Sequence, residues 1–254
     1  MPKISYSELK NWNTCPYYHK LVNIDKIKLF KGNEYTAFGN AIHDTCEGML
    51  LDKHLEVASH FIDKYKVALK KLADDNYDFN KKLVLEMKEQ GLELIPYIKP
   101  ALDNYFNEYE VFSTEEELFE DIDIKDYKYK GYVDLVLKTA DGKYHIIDWK
   151  TCSWGWGHRK KNDKMITYQL TFYKHFFAKK HGIDLDNIET HFALLKRTAK
   201  KDKIEMFKVA SGKKKIQNAL NFLSKALYNI NSKKYVKNRL SCNYCEFRKS
   251  SYCT

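Results

Sequence analysis

Two short apolar segments that carry Asp and Lys side chains constrain the fold of this chain more than any other feature. Residues 132–137 and 144–149 are rich in aromatic, aliphatic and β-branched side chains, a composition typical of strands. The dipeptide Asp141-Gly142 between them is a hairpin-turn signal. The sequence therefore predicts an antiparallel hairpin within a sheet.

Three charged residues belong to these predicted strands or follow them directly: Asp134, Asp148 and Lys150. Side chains alternate between faces along a strand, so Asp148 and Lys150 project from the same side, and hairpin pairing can bring Asp134 close to them. Carboxylates are hard-oxygen ligands suited to Mg²⁺ or Mn²⁺, and a lysine can hold a water or a developing negative charge. Either aspartate alone could cap a turn or pair with a surface lysine. Together the three residues predict a metal-dependent catalytic site.

Two predicted helices add further polar residues. Residues 36–51 form an amphipathic pattern that carries His43, whose neutral imidazole could bind a metal or make an ordinary hydrogen bond at the helix. Residues 164–181 form a second pattern, in which Gln169 and Tyr173 are four apart and share a face. Each of these features alone would also fit an ordinary helix surface.

The chain resembles the RecB-like branch of the PD-(D/E)XK nuclease superfamily in four motifs, which occur in that family's order: Gly39-x-x-x-His43, Gly131-x-x-Asp134, Asp148-x-Lys150 and Gln169-x-x-x-Tyr173. The resemblance spans about residues 5–254 and implies one or two Mg²⁺ or Mn²⁺ ions. It implies metal ligands at His43, Asp134, Asp148 and the backbone carbonyl of Trp149. It implies catalytic roles for Asp134, Asp148, Lys150, Gln169 and Tyr173.

The cysteines are placed unevenly along the chain. Cys15 lies near the N-terminus, whereas Cys242, Cys245 and Cys253 lie close to the C-terminus. The spacing Cys242-x-x-Cys245 lets both sulfurs reach one metal centre, and Cys253 could add a third ligand. Because zinc and iron–sulfur clusters both accept four thiolates, the spacing alone leaves the two open.

The resemblance favours iron–sulfur. One upstream cysteine and three C-terminal ones are similar to the arrangement in AddB-type nucleases and CRISPR-associated RecB-like exonucleases, which implies a 4Fe–4S cluster that joins the chain ends, with zinc as the alternative. The sequence departs from that pattern in the seven residues, 246–252, between its last two cysteines. Cys46 and Cys152 fall outside the pattern and are interpreted as packed small residues.

The charge of the chain favours a polyanionic partner. The formal net charge is +10 and the isoelectric point is about 9.0. A Lys-rich composition alone could produce this charge, but the basic residues also cluster, in residues 159–164 and 196–215. Basic groups beside a metal site suit contacts with backbone phosphates that carry no sequence information. The resemblance to RecB-like nucleases implies that the partner is DNA.

A length of 254 residues lets the chain bury a sizeable core, and a single RecB-like nuclease domain over residues 1–254 is expected. Residues 52–110 have helical periodicity and are interpreted as a helical insertion, and residues 242–254 as a C-terminal cysteine segment. The predicted fold class is α/β, a PD-(D/E)XK core with a central mixed sheet flanked by helices. Further predicted elements are an early helix with Ser7 as N-cap, strands at 112–123, 189–196 and 203–209, and a helix at 216–231.

No apolar run approaches the roughly 20 residues that a membrane span requires. The N-terminal residues also lack the apolar core of a signal peptide. We therefore expect a cytoplasmic protein that does not bind membranes, and whose six cysteines are not paired as disulfides. The resemblance to RecB-like nucleases implies a bacterial or phage-like source.

The resemblance implies a Mg²⁺- or Mn²⁺-dependent DNA exonuclease that acts on ends or single strands in recombination, repair, phage or CRISPR-related processing. The chain has no Gly-x-x-x-x-Gly-Lys-Ser/Thr loop, so a helicase or recombination partner would be a separate protein. Two alternatives stay open: a DNA-end-binding iron–sulfur subunit with little catalysis, and a structure-specific endonuclease with the same active site. Trp154 and Trp156 could stack on unpaired bases or anchor their loop on the core.

Overall fold

The computed structural model describes residues 1–124 and 126–253. Within these ranges, six strands form one sheet that contains both parallel and antiparallel pairs, and helices pack on both of its sides. This architecture confirms the α/β class with a mixed sheet flanked by helices. Among the described helices, none has the length and apolarity needed to cross a bilayer.

The strands are β1 (Lys3–Ser5), β2 (Tyr109–Asp121), β3 (Lys128–Thr139), β4 (Tyr144–Cys152), β5 (Ile188–Lys196) and β6 (Ile204–Lys208). The α-helices are α1 (Tyr6–Thr14), α2 (Pro16–His19), α3 (Glu34–Leu51), α4 (Val57–Asp74), α5 (Lys81–Leu94), α6 (Ile98–Phe106), α7 (His158–Lys161), α8 (Lys164–His181) and α9 (Lys213–Asn231). A π-helical turn covers Lys20–Ile24, and 3₁₀ turns cover Ile95–Tyr97, Leu185–Asn187 and Arg239–Tyr244.

Strand β3 organises the sheet because it pairs with three other strands. One edge of β3 pairs with β2 in antiparallel register. The other edge pairs with β1 in parallel over residues 128–130 and with β4 in antiparallel register over residues 135–138. The predicted hairpin is therefore present, and residues 131–134 lie on the β3 edge between β1 and β4.

The two sides of the sheet form separate hydrophobic clusters. One cluster joins α8 and α9 to the strands and includes Phe172, Phe176 and Ile146. The other joins α3, α4, α5 and α6 to the strands and includes Phe61 and Ile147. Because Ile146 and Ile147 are neighbours on β4, their membership of different clusters shows the face alternation that a strand buried on both sides requires.

Most predicted strands and helices have bounds that differ by a few residues from those observed, and three differences have a clear structural description. The helices α4, α5 and α6 lie within the predicted insertion, but β2 already begins at Tyr109, where half-buried and exposed side chains start to alternate. Helix α1 is capped by Ser5, whose hydroxyl accepts a hydrogen bond from the backbone N–H of Glu8, and not by Ser7. Helix α9 begins at Lys213, three residues before the predicted start.

Candidate active site

The candidate site lies where β3 and β4 stop pairing. Their ladder ends at the pair Leu135 and Ile147, although both strands continue. Beyond that pair, the backbone N–H of Trp149 donates a hydrogen bond to Asp134 Oδ2 at 2.8 Å. The aspartate thus satisfies a backbone donor that the strand ladder leaves unpaired, which fixes its carboxylate between the two strands.

Asp148 is completely buried next to this gap. Its carboxylate contacts the Lys150 ammonium, and neither of its oxygens accepts a hydrogen bond of good geometry from the described residues. Burial raises the pKa of Asp148 to about 6, a shift that the Lys150 charge opposes and the Asp134 charge reinforces. A buried carboxylate with free lone pairs is unfavourable by itself and favours a bound cation.

Lys150 carries the positive charge of the site. Burial alone would lower the pKa of its ammonium group, but the carboxylates of Asp148 and Asp134 outweigh burial and hold this pKa above its usual value. The side chain is therefore protonated at neutral pH beside these two acids. A protonated lysine can offset anionic charge but cannot accept a proton, so the geometry does not favour Lys150 as a general base.

Helix α3 brings His43 to the same gap. Its Nδ1 atom lies 3.6 Å from Asp134 Oδ2. Burial lowers the pKa of His43 and the Lys150 charge lowers it further, while the Asp148 carboxylate and the backbone carbonyl of Trp149 oppose this shift. The imidazole is therefore neutral at pH 7, the form that binds metals.

Strand β2 contributes Glu115, which the sequence reasoning missed. One carboxylate oxygen of Glu115 lies within 4.8 Å of an imidazole nitrogen of His43 and of a carboxylate oxygen of Asp134. The His43 and Asp134 atoms lie within the same distance of each other. Glu115 has φ +43°, between residues that pair regularly with β3. Glu115 is exposed as a residue, but surrounding protein atoms partly desolvate its carboxyl group. This desolvation, together with the nearby carboxylates, raises the pKa of Glu115 to about 7.

Helix α8 supplies Gln169 and Tyr173, which interact as their spacing predicts. Gln169 Nε2 donates a hydrogen bond to the Tyr173 hydroxyl at 3.0 Å. Both residues line a cavity of about 520 Å³ together with Asp134 and Gly131. A Cβ atom at Gly131 would lie 3.0 Å from the rings of Tyr129 and Tyr173, so the glycine makes room for these rings.

Comparisons with known proteins agree with this geometry. A model of the PD-(D/E)XK nuclease superfamily matches residues 3–253. The chain belongs to the PD-(D/E)XK nuclease superfamily. This assignment makes it a nuclease-type phosphodiesterase, and such nucleases use divalent metal ions. Among the curated proteins that were compared, none matches the chain.

Two solved structures have similar folds. A "putative exonuclease" from Eubacterium rectale is 12% identical with a TM-score of 0.61, and the match covers 98% of this chain and 88% of that chain. The protein SSO0001 is 16% identical with a TM-score of 0.45, over 96% of this chain and 83% of that chain. At these identities the E. rectale match supports the fold alone.

Outside the PD-(D/E)XK site, four cysteines line one cavity of about 890 Å³: Cys15, Cys242, Cys245 and Cys253. Burial raises the pKa of the Cys245 thiol, and the nearby thiols of Cys253, Cys15 and Cys242 raise it further. The backbone N–H of Asn238 donates to Cys15 Sγ at 3.3 Å, and the Tyr17 hydroxyl donates to the carbonyl of Tyr252 at 3.2 Å. These contacts join the N- and C-terminal segments around the cysteines.

The two other cysteines lie elsewhere. Cys46 is buried in the cluster beneath α3, and Cys152 packs half-buried against the cluster beneath α8. Neither of them lines the four-cysteine cavity. Both positions agree with their interpretation as packed small residues.

The two tryptophans after β4 have different environments. Trp154 is 77% exposed. Trp156 packs its ring against Phe192 at a centroid distance of 5.1 Å, and the Lys160 ammonium lies 4.6 Å from the Trp156 ring. Trp156 therefore anchors the loop on the core, while Trp154 presents a free aromatic face to solvent.

Several lysines of the predicted basic clusters are already engaged within the protein. Lys161 and Lys196 both pair with Glu205, and Lys208 pairs with Glu189 at 2.8 Å. Intramolecular pairs of this kind reduce the charge available to a polyanion. The remaining lysines of residues 196–215 include Lys200, Lys201, Lys213 and Lys214, whose side chains are exposed.

Proposed function

We propose that this protein is a metal-dependent deoxyribonuclease that acts as an exonuclease on DNA ends or single strands. The observation that supports the proposal most is the buried carboxylate of Asp148, which lies beside Asp134, His43 and Lys150 without a hydrogen-bond donor of good geometry among the described residues. The Lys150 ammonium offsets its charge but leaves lone pairs of both oxygens without donors of good geometry among the described residues, and a buried carboxylate in this state is costly. A cation that binds these lone pairs would remove that cost.

The residues present fit a divalent ion. We assign His43, Asp134, Asp148 and the backbone carbonyl of Trp149 as its ligands, and we add Glu115 because its oxygen lies within reach of the first two. Carboxylate and carbonyl oxygens with one imidazole suit Mg²⁺ or Mn²⁺. When bound, such an ion lowers the pKa of a coordinated water and stabilises charge on a phosphoryl oxygen.

The other residues act on the substrate. The Lys150 ammonium remains protonated beside Asp148 and Asp134 and offsets negative charge on the phosphate under attack. Gln169 holds the Tyr173 hydroxyl through a hydrogen bond, so this pair presents a fixed polar surface to the cavity that also reaches Asp134. We assign these two residues to positioning the substrate backbone.

DNA fits the charge and surface of the chain. The net charge of +10 favours a polyanion. Trp154 follows the β4 strand that carries Asp148 and Lys150 and is largely exposed, so its ring can stack on an unpaired base regardless of sequence. Single-stranded DNA or a frayed duplex end offers such bases, which is why we favour these substrates.

We further propose that Cys15, Cys242, Cys245 and Cys253 bind a 4Fe–4S cluster. One zinc ion would place its sulfurs about 3.8 Å apart, from Zn–S bonds of about 2.3 Å in a tetrahedron. Among the described residues, no three of these sulfurs lie within 4.8 Å of one another. A cluster whose thiolates bind separate iron atoms tolerates wider spacing inside a cavity of about 890 Å³.

The cluster proposal has its own test. Anaerobically purified wild-type protein should contain iron and sulfide and absorb as a 4Fe–4S cluster. Cys242→Ser should lose most of the iron and lower the melting temperature, since the cysteines join both chain ends, whereas Cys152→Ser should retain both. Zinc without iron in the anaerobic wild type would refute the cluster and leave the nuclease proposal intact.

Nuclease activity is tested by comparing wild type with Lys150→Met and a matched control, Lys174→Met. Lys174 is half-buried on α8, and its pKa is lowered by burial rather than raised by the site carboxylates. Wild type and Lys174→Met should shorten end-labelled linear DNA with Mg²⁺ or Mn²⁺. Lys150→Met should bind the same DNA but cleave it at least about 100-fold more slowly, the scale expected when one charge-stabilising group is lost.

Two further outcomes separate the alternatives. Cleavage of circular single-stranded DNA would replace the exonuclease with an endonuclease that uses the same residues. If wild type binds DNA ends and keeps its metal cluster but never cleaves, the protein is a DNA-end-binding subunit and the enzyme proposal fails.

A further inference from the structure

A second cluster of metal-ligating side chains lies away from the candidate active site. It consists of His145 on β4 and Glu189 and His191 on β5, and one ligand atom from each lies within 4.8 Å of the other two. We propose that these three residues form a zinc site. The proposal does not depend on the nuclease function.

The register of the parallel β4–β5 pair creates this cluster. His145 is directly opposite Glu189, and His191 is two residues further along β5, so all three side chains project from the same face. His145 lies three residues before Asp148 on the same strand and therefore projects from the opposite face of β4. The zinc site is thus on the side of the sheet covered by α6, where the ring of Phe106 contacts both histidines.

The distances within the cluster fit one tetrahedral ion. His145 Nδ1 lies 3.2 Å from His191 Nε2 and 3.9 Å from Glu189 Oε2. With Zn–N bonds of about 2.0–2.1 Å, two imidazole nitrogens on one tetrahedral zinc ion are about 3.3 Å apart. The nitrogens are therefore at zinc-ligand spacing, and a small inward movement of the carboxylate completes three ligands with a fourth position for water.

The outer nitrogens of both rings are held by hydroxyl groups. His145 Nε2 lies 3.0 Å from Thr139 Oγ1, and His191 Nδ1 lies 3.4 Å from the Tyr105 hydroxyl. Each hydroxyl can accept the ring N–H and leave the inner nitrogen unprotonated. Metal-bound histidines usually have such an outer hydrogen bond, which fixes their tautomer and orientation.

Two lysines approach one carboxylate oxygen of Glu189 and leave the other oxygen available. Lys208 and Lys143 approach Oε1 at 2.8 and 3.5 Å, which leaves Oε2 for the cation. Burial lowers the pKa of His145, and burial together with His145 lowers that of His191 to about 3, so both rings are neutral at pH 7. Two imidazoles and one carboxylate form a donor set that suits zinc better than Mg²⁺.

The competing explanation is a hydrogen bond between two neutral imidazoles, which requires neither Glu189 nor an ion. The two explanations predict different zinc contents for the purified protein. Protein purified with Zn²⁺ and then exchanged into excess Mg²⁺ should retain one zinc per chain at this site. X-ray absorption at the zinc edge should show nitrogen and oxygen ligands, whereas zinc held by the four-cysteine cavity would show sulfur.

Single substitutions at and near the three proposed ligands provide a second test of the zinc site. His191→Gln should lose the nitrogen-bound zinc, and Thr139→Val should weaken zinc affinity about 10–100-fold through the lost outer hydrogen bond. His175→Gln is the matched control, since His175 is a half-buried histidine on α8 that packs against Phe176. It should retain zinc fully, and circular dichroism should show all variants folded.

Two results would overturn the site. One is equal zinc content in wild type and folded His191→Gln. The other, which needs no variant, is a zinc-loaded wild type whose absorption spectrum contains sulfur ligands only. Either result would identify the histidines as a hydrogen-bonded pair.

Discussion

Substitution of Asp148 by Asn should make the metal-free protein more stable while it removes activity. Asp148 is fully buried and has a pKa of about 6 in the folded protein, against 3.8 for an exposed aspartate. Ionising this carboxyl is therefore less favourable in the folded chain than in the unfolded one. Asn has nearly the same shape as Asp and carries no charge.

The magnitude follows from the pKa difference. A difference of about two pKa units, at about 1.36 kcal/mol per unit, lowers the unfolding free energy of wild type by about 3 kcal/mol above pH 6. Below pH 3.8 Asp148 is protonated in both the folded and the unfolded chain, so this loss is absent there. It develops as the pH rises from 3.8 to about 6 and is complete above about 6. For a chain of this length, about 3 kcal/mol corresponds to about 6–12 °C in melting temperature.

The assay is thermal unfolding of wild type and Asp148→Asn at about pH 5 and about pH 8, without divalent ions. Asp148→Asn should melt higher at the higher pH, and the difference should shrink at the lower pH. Asp186→Asn, at an exposed carboxylate, is the control and should match wild type at both values. Adding Mn²⁺ should raise the melting temperature of wild type and narrow the gap. A variant that melts at or below wild type at about pH 8 would refute the reasoning.

Two further predictions concern metal binding and substrate positioning. The affinity for Mn²⁺, measured by calorimetry, should rise between about pH 5.5 and about pH 8, because Asp148 and Glu115, with pKa values of about 6 and 7, must lose protons before they bind a cation. The variant Glu115→Gln should bind Mn²⁺ more weakly, and its affinity should change less with pH in the upper part of this range. An unchanged pH profile would exclude Glu115 as a ligand. Gly131→Ala should lower the DNA cleavage rate severalfold, because the added Cβ would press on the Tyr173 ring. Gly39→Ala is the control and should keep the wild-type rate, since a Cβ at position 39 would lie at an ordinary 3.5 Å from Thr151 Oγ1. Equal cleavage rates in the two variants would contradict this role of Gly131.

Local sequence signals predicted the elements that carry most of the motifs. Helix α8 spans Lys164–His181, as its periodicity predicts, because its ends are marked chemically. Asp163 accepts a hydrogen bond from the backbone N–H of Met165 at the N-terminus, and Gly182 has φ +64° at the C-terminus. The hairpin of β3 and β4 was predictable for a similar reason, since its turn residues and apolar strands are contiguous in sequence.

Glu115 could not be predicted, because Glu115, Glu116 and Glu117 are consecutive and chemically identical. The structure gives them three different environments: Glu116 pairs with Lys180 and His181, and Glu117 pairs with Lys130. Only Glu115 is near the metal-ligating groups, and its positive φ interrupts the regular strand there. No composition or spacing signal marks a backbone irregularity of this kind.

Long-range pairing also limits what a sequence reveals. Strand β1 contains three residues, too few for a periodic pattern, yet it pairs with β3 at residues 128–130. His145 and His191 are 46 positions apart, and only the parallel register of β4 and β5 brings them together. Contacts of both kinds depend on the assembled sheet, so single-sequence reasoning had no basis for them.

The pairing of β3 with two different strands on one edge explains why a charged site can exist inside this sheet. A continuous ladder would leave no room for Asp134 to accept the Trp149 N–H or for the Lys150 ammonium to reach Asp148. Where the ladder stops, the backbone needs other hydrogen-bond partners, and polar side chains supply them. The same interruption leaves the buried Asp148 carboxylate beside the Lys150 ammonium but without hydrogen-bond donors of good geometry among the described residues. The position that weakens the metal-free fold is therefore the one that a cation would stabilise. Replacing Asp134 by Ala should therefore destabilise the protein, unlike Asp148→Asn, because it leaves the buried Trp149 N–H without its acceptor.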